Sequence, residues 1–400
     1  CHGGVQVCAP SGLGYIPGCT GQVLPQPEAC GDGQDHDCNG APNDVPDVDG
    51  DGWTACQGDC CEYTFQCGEP TQVNPGAIEV QGDAVDNDCS GQVDEALPTC
   101  SSSPTFSGVT PQSAASAMEL CKFINPGDKT WGVTSVEWVL ADGSAPSAQA
   151  LGDIQNLQAA ILDSYGTSGG NNPKKNATML GLSSGKMRDS GDPGYVLPIA
   201  GTQLSSAVNP PPVYTAAHGG GLLPGSCGNG TCQVGTGAND SINLRVKMRA
   251  PSNAKSFSYD FRFFTGEYQT YQCTQFNDYF LALLTSANGT IPADHNISFD
   301  AKGNAVSVNN GFFQTCGGNG KNCGNCPNGT ADLAGTGMDQ VNGGGTLWLT
   351  TTAPVNPGED ITLELTIFDV GDHAYDSLVL IDNFAWSATP SSGPTTGPAK

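Results

Sequence analysis

Positive charge is almost missing from this chain. Its 400 residues carry 14 Lys and Arg against 40 Asp and Glu, a formal net charge of −26. The first hundred residues contain no Lys or Arg at all, and Lys122 is the first basic side chain. A polyanion of this kind lacks the counter-charge that nucleic acid or anionic lipid requires, so neither is expected as a partner. Long apolar runs are missing too. No stretch reaches the roughly 18 residues that a membrane-spanning helix needs, so direct membrane insertion is not expected. Aromatic residues make up 7% of the chain, and apolar side chains in the first hundred residues are too sparse for a conventional core. That region holds instead seventeen acidic side chains and eleven of the 18 cysteines. Acid at this density needs divalent cations to offset its self-repulsion. Closely spaced cysteines in even number imply disulfides, and hence an extracellular or cell-surface setting.

A motif in this region occurs twice. Glu28 to Asp44 reads EACGDGQDHDCNGAPND and Glu79 to Glu95 reads EVQGDAVDNDCSGQVDE. Glu28/Glu79, Asp32/Asp83, Asp35/Asp86, Asp37/Asp88, Cys38/Cys89 and Gly40/Gly91 fall in register. Both copies contain D-x-D-x-[N/S]-G, and a third such loop, DVDGDG, runs from Asp47 to Gly52. Calcium takes six to eight oxygen ligands, and alternate carboxylates can face one point if the chain then turns at a glycine. The candidate ligands are Asp35, Asp37 and Asn39; Asp47, Asp49 and Asp51; and Asp86, Asp88 and Ser90. A backbone carbonyl two residues further on would add Ala41, Trp53 and Gln92. The bidentate Glu that closes an EF-hand is missing from all three loops. Closing carboxylates must come from elsewhere: Asp44, Asp94 and Glu95, with Asn43, in the repeated loops and Asp59 in the middle one. The competing reading is that D-G clusters are turn chemistry on a solvated surface. Three loops, two of them inside a register-preserving repeat, favour several bound calcium ions that order a segment unable to fold by itself.

DVDGDGW, the later NPGAIEV and GDAVDNDCSGQVDE resemble the metal-binding repeat named after the surface copper protein MopE, common in secreted proteins of myxobacteria. CHGGVQVC and GQVLPQPEAC resemble the half-repeat that precedes it. By its name the resemblance implies copper as an alternative cofactor. His2 and His36 are the only imidazoles in the region, however, and oxygen-only loops choose calcium over copper.

The pattern divides the chain into a Cys- and Asp-rich module over 1–100, a Ser/Pro/Thr joint over 101–111, a domain over 112–387 and a Pro/Thr/Ser tail over 388–400 that reads as a linker or stalk. Helices are expected over Gln112 to Lys122 and over Asp153 to Ser164, the second capped by Asp153. Ser256 to Phe264 and Ile361 to Phe368 alternate with period two. Asp278 to Leu284, Thr346 to Thr350 and Ser377 to Trp386 add strands. The fold class is mainly β: a loop-rich N-terminal module, then an antiparallel β-sandwich or jelly roll with a few short helices. Trp131-Gly132, LSSGKMR from Leu182, APSNAKSFSYDFRFFTGEY from Ala250, FNDYF from Phe276 and DVGDHAYDSLVLIDNF from Asp369 resemble the choice-of-anchor L domain of bacterial surface proteins. That resemblance implies surface display. Asp369, Asp372, Asp376 and Asp382 crowd beside apolar strands. With Glu267, Asn277 and Asp278 they make one more candidate calcium site, unless they are turn residues. Tyr268, Tyr271, Tyr279 and Tyr375 lie near these acids in sequence, so a surface glycan is an alternative partner.

Gly181 to Gly185 reads G-x-S-x-G and His218 begins HGGG, but an α/β-hydrolase has these in the opposite order. No catalysis is expected. Cys323-x-x-Cys326 with Cys316, and Cys227 with Cys232, read as loop-closing disulfides rather than zinc or redox sites. The sequence therefore describes a secreted or surface-displayed, disulfide-stapled, calcium-binding structural or adhesive protein, self-associating as a fibre subunit.

Overall fold

The computed structural model describes residues 5, 9–11, 25–26, 28–42, 44–97, 99–100, 102–199, 204, 206–227, 230–317 and 326–399. The chain divides into two compact units, Cys1–Ala96 and Leu97–Lys400.

The second unit is an antiparallel sandwich. Its main strands are β1 (Gly132–Val139), β2 (Ala159–Leu162), β3 (Met179–Ser183), β4 (Ala238–Arg249), β5 (Ser256–Thr265), β6 (Tyr279–Thr285), β7 (Phe313–Cys316), β8 (Gly344–Thr346), β9 (Leu349–Pro354), β10 (Asp360–Asp369), β11 (Ser377–Ser387) and β12 (Thr395–Pro398). One sheet runs β1-β4-β10-β6 and ends on Val306–Ser307, with Ala207–Val208 added to β4. The other runs β7-β8-β5-β11-β3-β2, and β9 pairs both β5 and β12. Period two places Phe257, Tyr259, Phe261 and Phe263 inside, where the ring of Phe261 meets Phe280 of the facing sheet at 5.3 Å. The expected half-burial does not hold for β5, because Asp260 and Arg262 on its other face are buried as well. A second apolar cluster that includes Tyr165, Met187, Leu333, Met338 and Trp348 packs there. Arg262 is satisfied beneath it by Asp332 at 2.9 Å and by the carbonyls of Thr346 and Gly170.

Both expected helices are shorter than the periodicity suggested. Only Pro111–Ser116 is helical in the first, capped by Thr110, whose hydroxyl accepts from the Ser113 amide at 3.1 Å. In the second, Asp153 ends a helix that Ser147 caps (Ala148–Asp153), a π-turn follows over Ile154–Gln158, and Ala159–Leu162 is β2. AAIL is buried on both faces, where periodicity cannot separate strand from helix. The joint and the tail are also structured. Thr105 and Ile161 exchange backbone hydrogen bonds of 2.8 and 2.9 Å, and Thr395–Pro398 pairs with Leu349–Thr352. Cys100–Cys121, Cys232–Cys273 and Cys316–Cys326 are disulfides. Cys232 thus reaches Cys273 rather than Cys227. Cys323 lies outside the described residues.

The first unit has little regular structure: single turns at Ala55–Gln57, Thr64–Cys67 and Pro70–Gln72. Its buried apolar residues include Val73, Ala77 and Ile78, too few to drive folding. Disulfides Cys30–Cys56, Cys60–Cys89 and Cys61–Cys67 staple it, so Cys60 and Cys61 do pair elsewhere. The remaining order comes from carboxylates that accept backbone amides.

Candidate metal centres

The two repeat copies fold alike, bond for bond. In the first, Glu28 Oε1 accepts the amides of His36 and Asp37 at 2.7 and 2.8 Å. In the second, Glu79 Oε1 accepts those of Asn87 and Asp88 at 2.7 and 3.0 Å. Asp35 takes the Asn39 and Gly40 amides on its two oxygens, and Asp86 takes those of Ser90 and Gly91. Gly40 and Gly91 complete the turns with φ of 103° and 88°, a region that glycine enters without a steric cost. His36 Nε2 lies 2.7 Å from Asp32 Oδ2. Its counterpart Asn87 gives its side-chain amide to Asp83 at 3.3 Å. The imidazole therefore occupies a structural position that an amide fills in the other copy.

These bonds bring equivalent carboxylates together. Glu28, Asp37 and Asp44 offer oxygens within 4.8 Å of one another, and so do Glu79, Asp88 and Glu95. Glu95 Oε2 is buried with no hydrogen-bond partner. Asn39 bridges Asp37 and Asp44 through its amide at 2.9 and 2.7 Å, while the Ser90 hydroxyl donates to Glu95 at 2.8 Å.

The middle loop is tighter. Asp47 accepts the Gly50 and Gly52 amides, and Asp51 accepts the Trp53 amide and the Asn74 side chain. Asp49 belongs to two overlapping clusters, one with Asp47 and Asp51 and one with Asp59 and Glu62. Asp49 Oδ2 and Asp59 Oδ2 are both buried without a hydrogen-bond partner. Glu62 is held in place by the Val48 and Ala55 amides at 2.8 and 2.9 Å. Glu28, Asp37, Asp59 and Glu62 line a cavity of about 360 Å³. Buried oxygen atoms with no donor, beside further carboxylates, fit a hard cation.

The electrostatics agree. Burial pushes Asp49 up to about 6, helped by the charges of Asp51 and Asp59. Burial also raises Asp51, Asp59 and Glu79. For Asp47 burial works in the same direction, but the Gly52 and Gly50 amides outweigh it and the carboxyl sits below its usual range. A carboxyl whose folded value is raised binds more protons folded than unfolded between the two values, so the metal-free unit gains stability as pH falls from 7 toward about 5. Saturating calcium should reverse the sign, because protons then compete with the ion. Thermal melts at the two pH values, in EDTA and in calcium, test this; the same trend in both would remove Asp49 from the ligands.

Several sequence candidates serve other purposes. Asp35 and Asp86 hold turns, and neither joins a cluster. Asp94 receives the Gly82 amide. Glu28, Glu79 and Glu62 were not among the expected ligands. Constancy across the repeat marked the first two, whereas nothing in the sequence marked Glu62.

Residues 238–386 match the family model of the choice-of-anchor L domain. This segment is a choice-of-anchor L domain. Residues 25–44 and 70–95 match a second model, of the MopE type, described as a putative metal-binding motif, and each stretch contains one complete carboxylate triad. No curated protein and no solved structure matches the chain. Among the described residues no helix is long and apolar enough to cross a membrane.

The acids of the choice-of-anchor L domain do not all meet. Glu267, Asp278 and Asp376 are buried at one end of the sandwich. Asn277 turns to the Tyr279 hydroxyl and the Asn309 amide, and Asp372 accepts the Ala374 amide on one oxygen while its charge still acts on Glu267 and Asp278. Asp382 is six residues further along β11 than Asp376, roughly 20 Å at ~3.3 Å per residue. It takes the Lys174 and Lys175 amides instead, at 2.5 and 3.0 Å. Tyr268 and Tyr279 are buried, the former stacked on Phe313 at 3.8 Å, so neither is exposed as a sugar platform. Ser183 is buried in β3 and donates to the Ser377 carbonyl, whereas His218 meets Asp294.

Proposed function

We propose that this is a calcium-stabilised structural protein of the cell exterior. Its N-terminal module uses bound ions in place of a hydrophobic core, and its choice-of-anchor L domain serves surface display. The observation that carries this reading is the duplicated triad: Glu28, Asp37 and Asp44 in one copy, Glu79, Asp88 and Glu95 in the other. All donors in the clusters are carboxylates, the ligand class of hard cations. The one described histidine nearby is engaged by Asp32. Ions bound there offset the repulsion of seventeen acids and hold the repeats in a rigid, protease-resistant form suited to an adhesin or a fibre subunit.

Metal analysis after dialysis against equal calcium, magnesium, zinc and copper tests the reading. The module is expected to hold about three calcium equivalents, one for each of its acidic loops. Stoichiometric copper that disappears in His36→Ala would replace calcium as the cofactor. Fibre formation predicts calcium-dependent growth in sedimentation coefficient with protein concentration. A monomer under every calcium condition would remove the fibre role and leave the ion sites standing.

A further inference from the structure

The four strands at the centre of the sandwich each place an acid at the same end of the domain. Glu267 lies just past β5, Asp278 just before β6, Asp369 at the end of β10 and Asp376 just before β11. The register makes them neighbours, since Phe368 pairs with Tyr279 in one sheet and Ser377 with Thr265 in the other. Asp278 links the sheets by accepting the Ser377 hydroxyl at 2.6 Å and the Val370 amide at 3.1 Å. All four side chains are buried, Asp369 and Asp278 at 1% exposure, Glu267 at 2% and Asp376 at 5%.

Such a group is costly unless something positive joins it. Among the described residues no ion pair involves any of the four; the nearby His373 is taken by Asp240 at 2.8 Å. Both oxygens of Asp369, and Oε2 of Glu267, are buried without a well-formed hydrogen bond, although the Ser184 side chain lies close enough to Asp369 to favour its charged form. Asp369 and Asp278 flank Phe368 and Tyr279, the last pair of the β6/β10 ladder, and the charges of Asp278 and Asp376 both act on Asp369.

We propose that Asp278, Asp369, Glu267 and Asp376 form a binding site for a hard divalent cation of the calcium class, clamping the two sheets of the choice-of-anchor L domain together at this end. The donors are all oxygen, and the Ser377 hydroxyl lies within reach. Gly185 belongs to the design, because a Cβ there would stand 1.9 Å from Asp376 Oδ2. Burial pushes Asp278 and Asp376 up to about 7 and raises Glu267 and Asp369 as well. The site is separate from the N-terminal loops and does not depend on their ions.

The test counts calcium per full-length chain by mass spectrometry for the wild type, Asp369→Asn and Glu79→Gln. Each variant is expected to lose one equivalent. Asp369→Asn should melt below the wild type in calcium but above it in EDTA, since in the absence of metal it removes one of four crowded, buried carboxyls. If Asp369→Asn does not fold, hydrogen exchange on the wild type decides. The amides of Val370 and Ser377 should slow by at least about tenfold when calcium is added, a protection that tracks closure of the local opening. An unchanged calcium count in folded Asp369→Asn, or exchange at these amides indifferent to calcium, overturns the site and leaves a proton-sharing acid cluster. A Glu79→Gln variant that keeps its full count would count against the N-terminal reading only.

Discussion

In EDTA, the segment from Asp44 to Leu97 is expected to become the first point of protease attack, while the sandwich stays resistant. An ion present at a hundred times its dissociation constant stabilises the form that binds it by about 2.7 kcal/mol, so three would contribute about 8 kcal/mol. That is comparable to the whole stability of a typical domain, ~5–15 kcal/mol. With Val73, Ala77 and Ile78 as most of its buried aliphatic surface, the module has little else to fall back on. Cys30–Cys56 and Cys60–Cys89 keep the metal-free chain compact, so the readout should be amide exchange rather than size. The amides of Asn87, Asp88 and Asp94, all donated to Glu79, should lose protection on chelation and regain it with calcium. Protection and cleavage that ignore chelator would sink the claim that ions order this unit.

Glu79→Gln is the single substitution expected to cost most. The carboxylate accepts three amides at 2.7 to 3.0 Å and also belongs to the triad. A glutamine keeps one acceptor and turns an NH₂ toward donors. Hydrogen bonds to a charged group contribute about 1.5–3 kcal/mol each, so a loss of about 2–4 kcal/mol is expected, together with at least a tenfold weaker ion in that loop. Glu28→Gln should do the same in the first copy. The exposed Glu69→Gln, outside every cluster, is the control and should stay within about 0.5 kcal/mol. Equal effects for Glu79→Gln and Glu69→Gln in a calcium titration would refute the triad.

The spacing of aspartates revealed that the loops turn, but not which oxygens meet. In an EF-hand the closing Glu follows the loop. Here Glu28 and Glu79 come before it and are brought back by amides nine residues later, a return that only folding reveals. The first Asp of each repeated loop, Asp35 or Asp86, accepts the amides of its own turn and joins no carboxylate cluster among the described residues. Strands were legible where one face is apolar and the other polar, as over Ile361 to Phe368. They were not legible at Ala159–Leu162, where all four residues are buried, nor at Thr395–Pro398, which is held by backbone pairing and by the Thr396 hydroxyl. Asp278 and Asp376 come together because antiparallel registers align strand ends far apart in the chain; Asp382, close to Asp376 in sequence, goes elsewhere for the same reason.

The pairing of Thr395–Pro398 with Leu349–Thr352 makes the last strand a latch over an otherwise open sheet edge. It follows a short Ser/Pro/Gly segment and is tied down further by the Thr396 hydroxyl, which meets the buried Thr351 at 2.9 Å. Were it displaced, the row of unpaired amide and carbonyl groups on β9 would template an incoming strand of any molecule with a matching backbone.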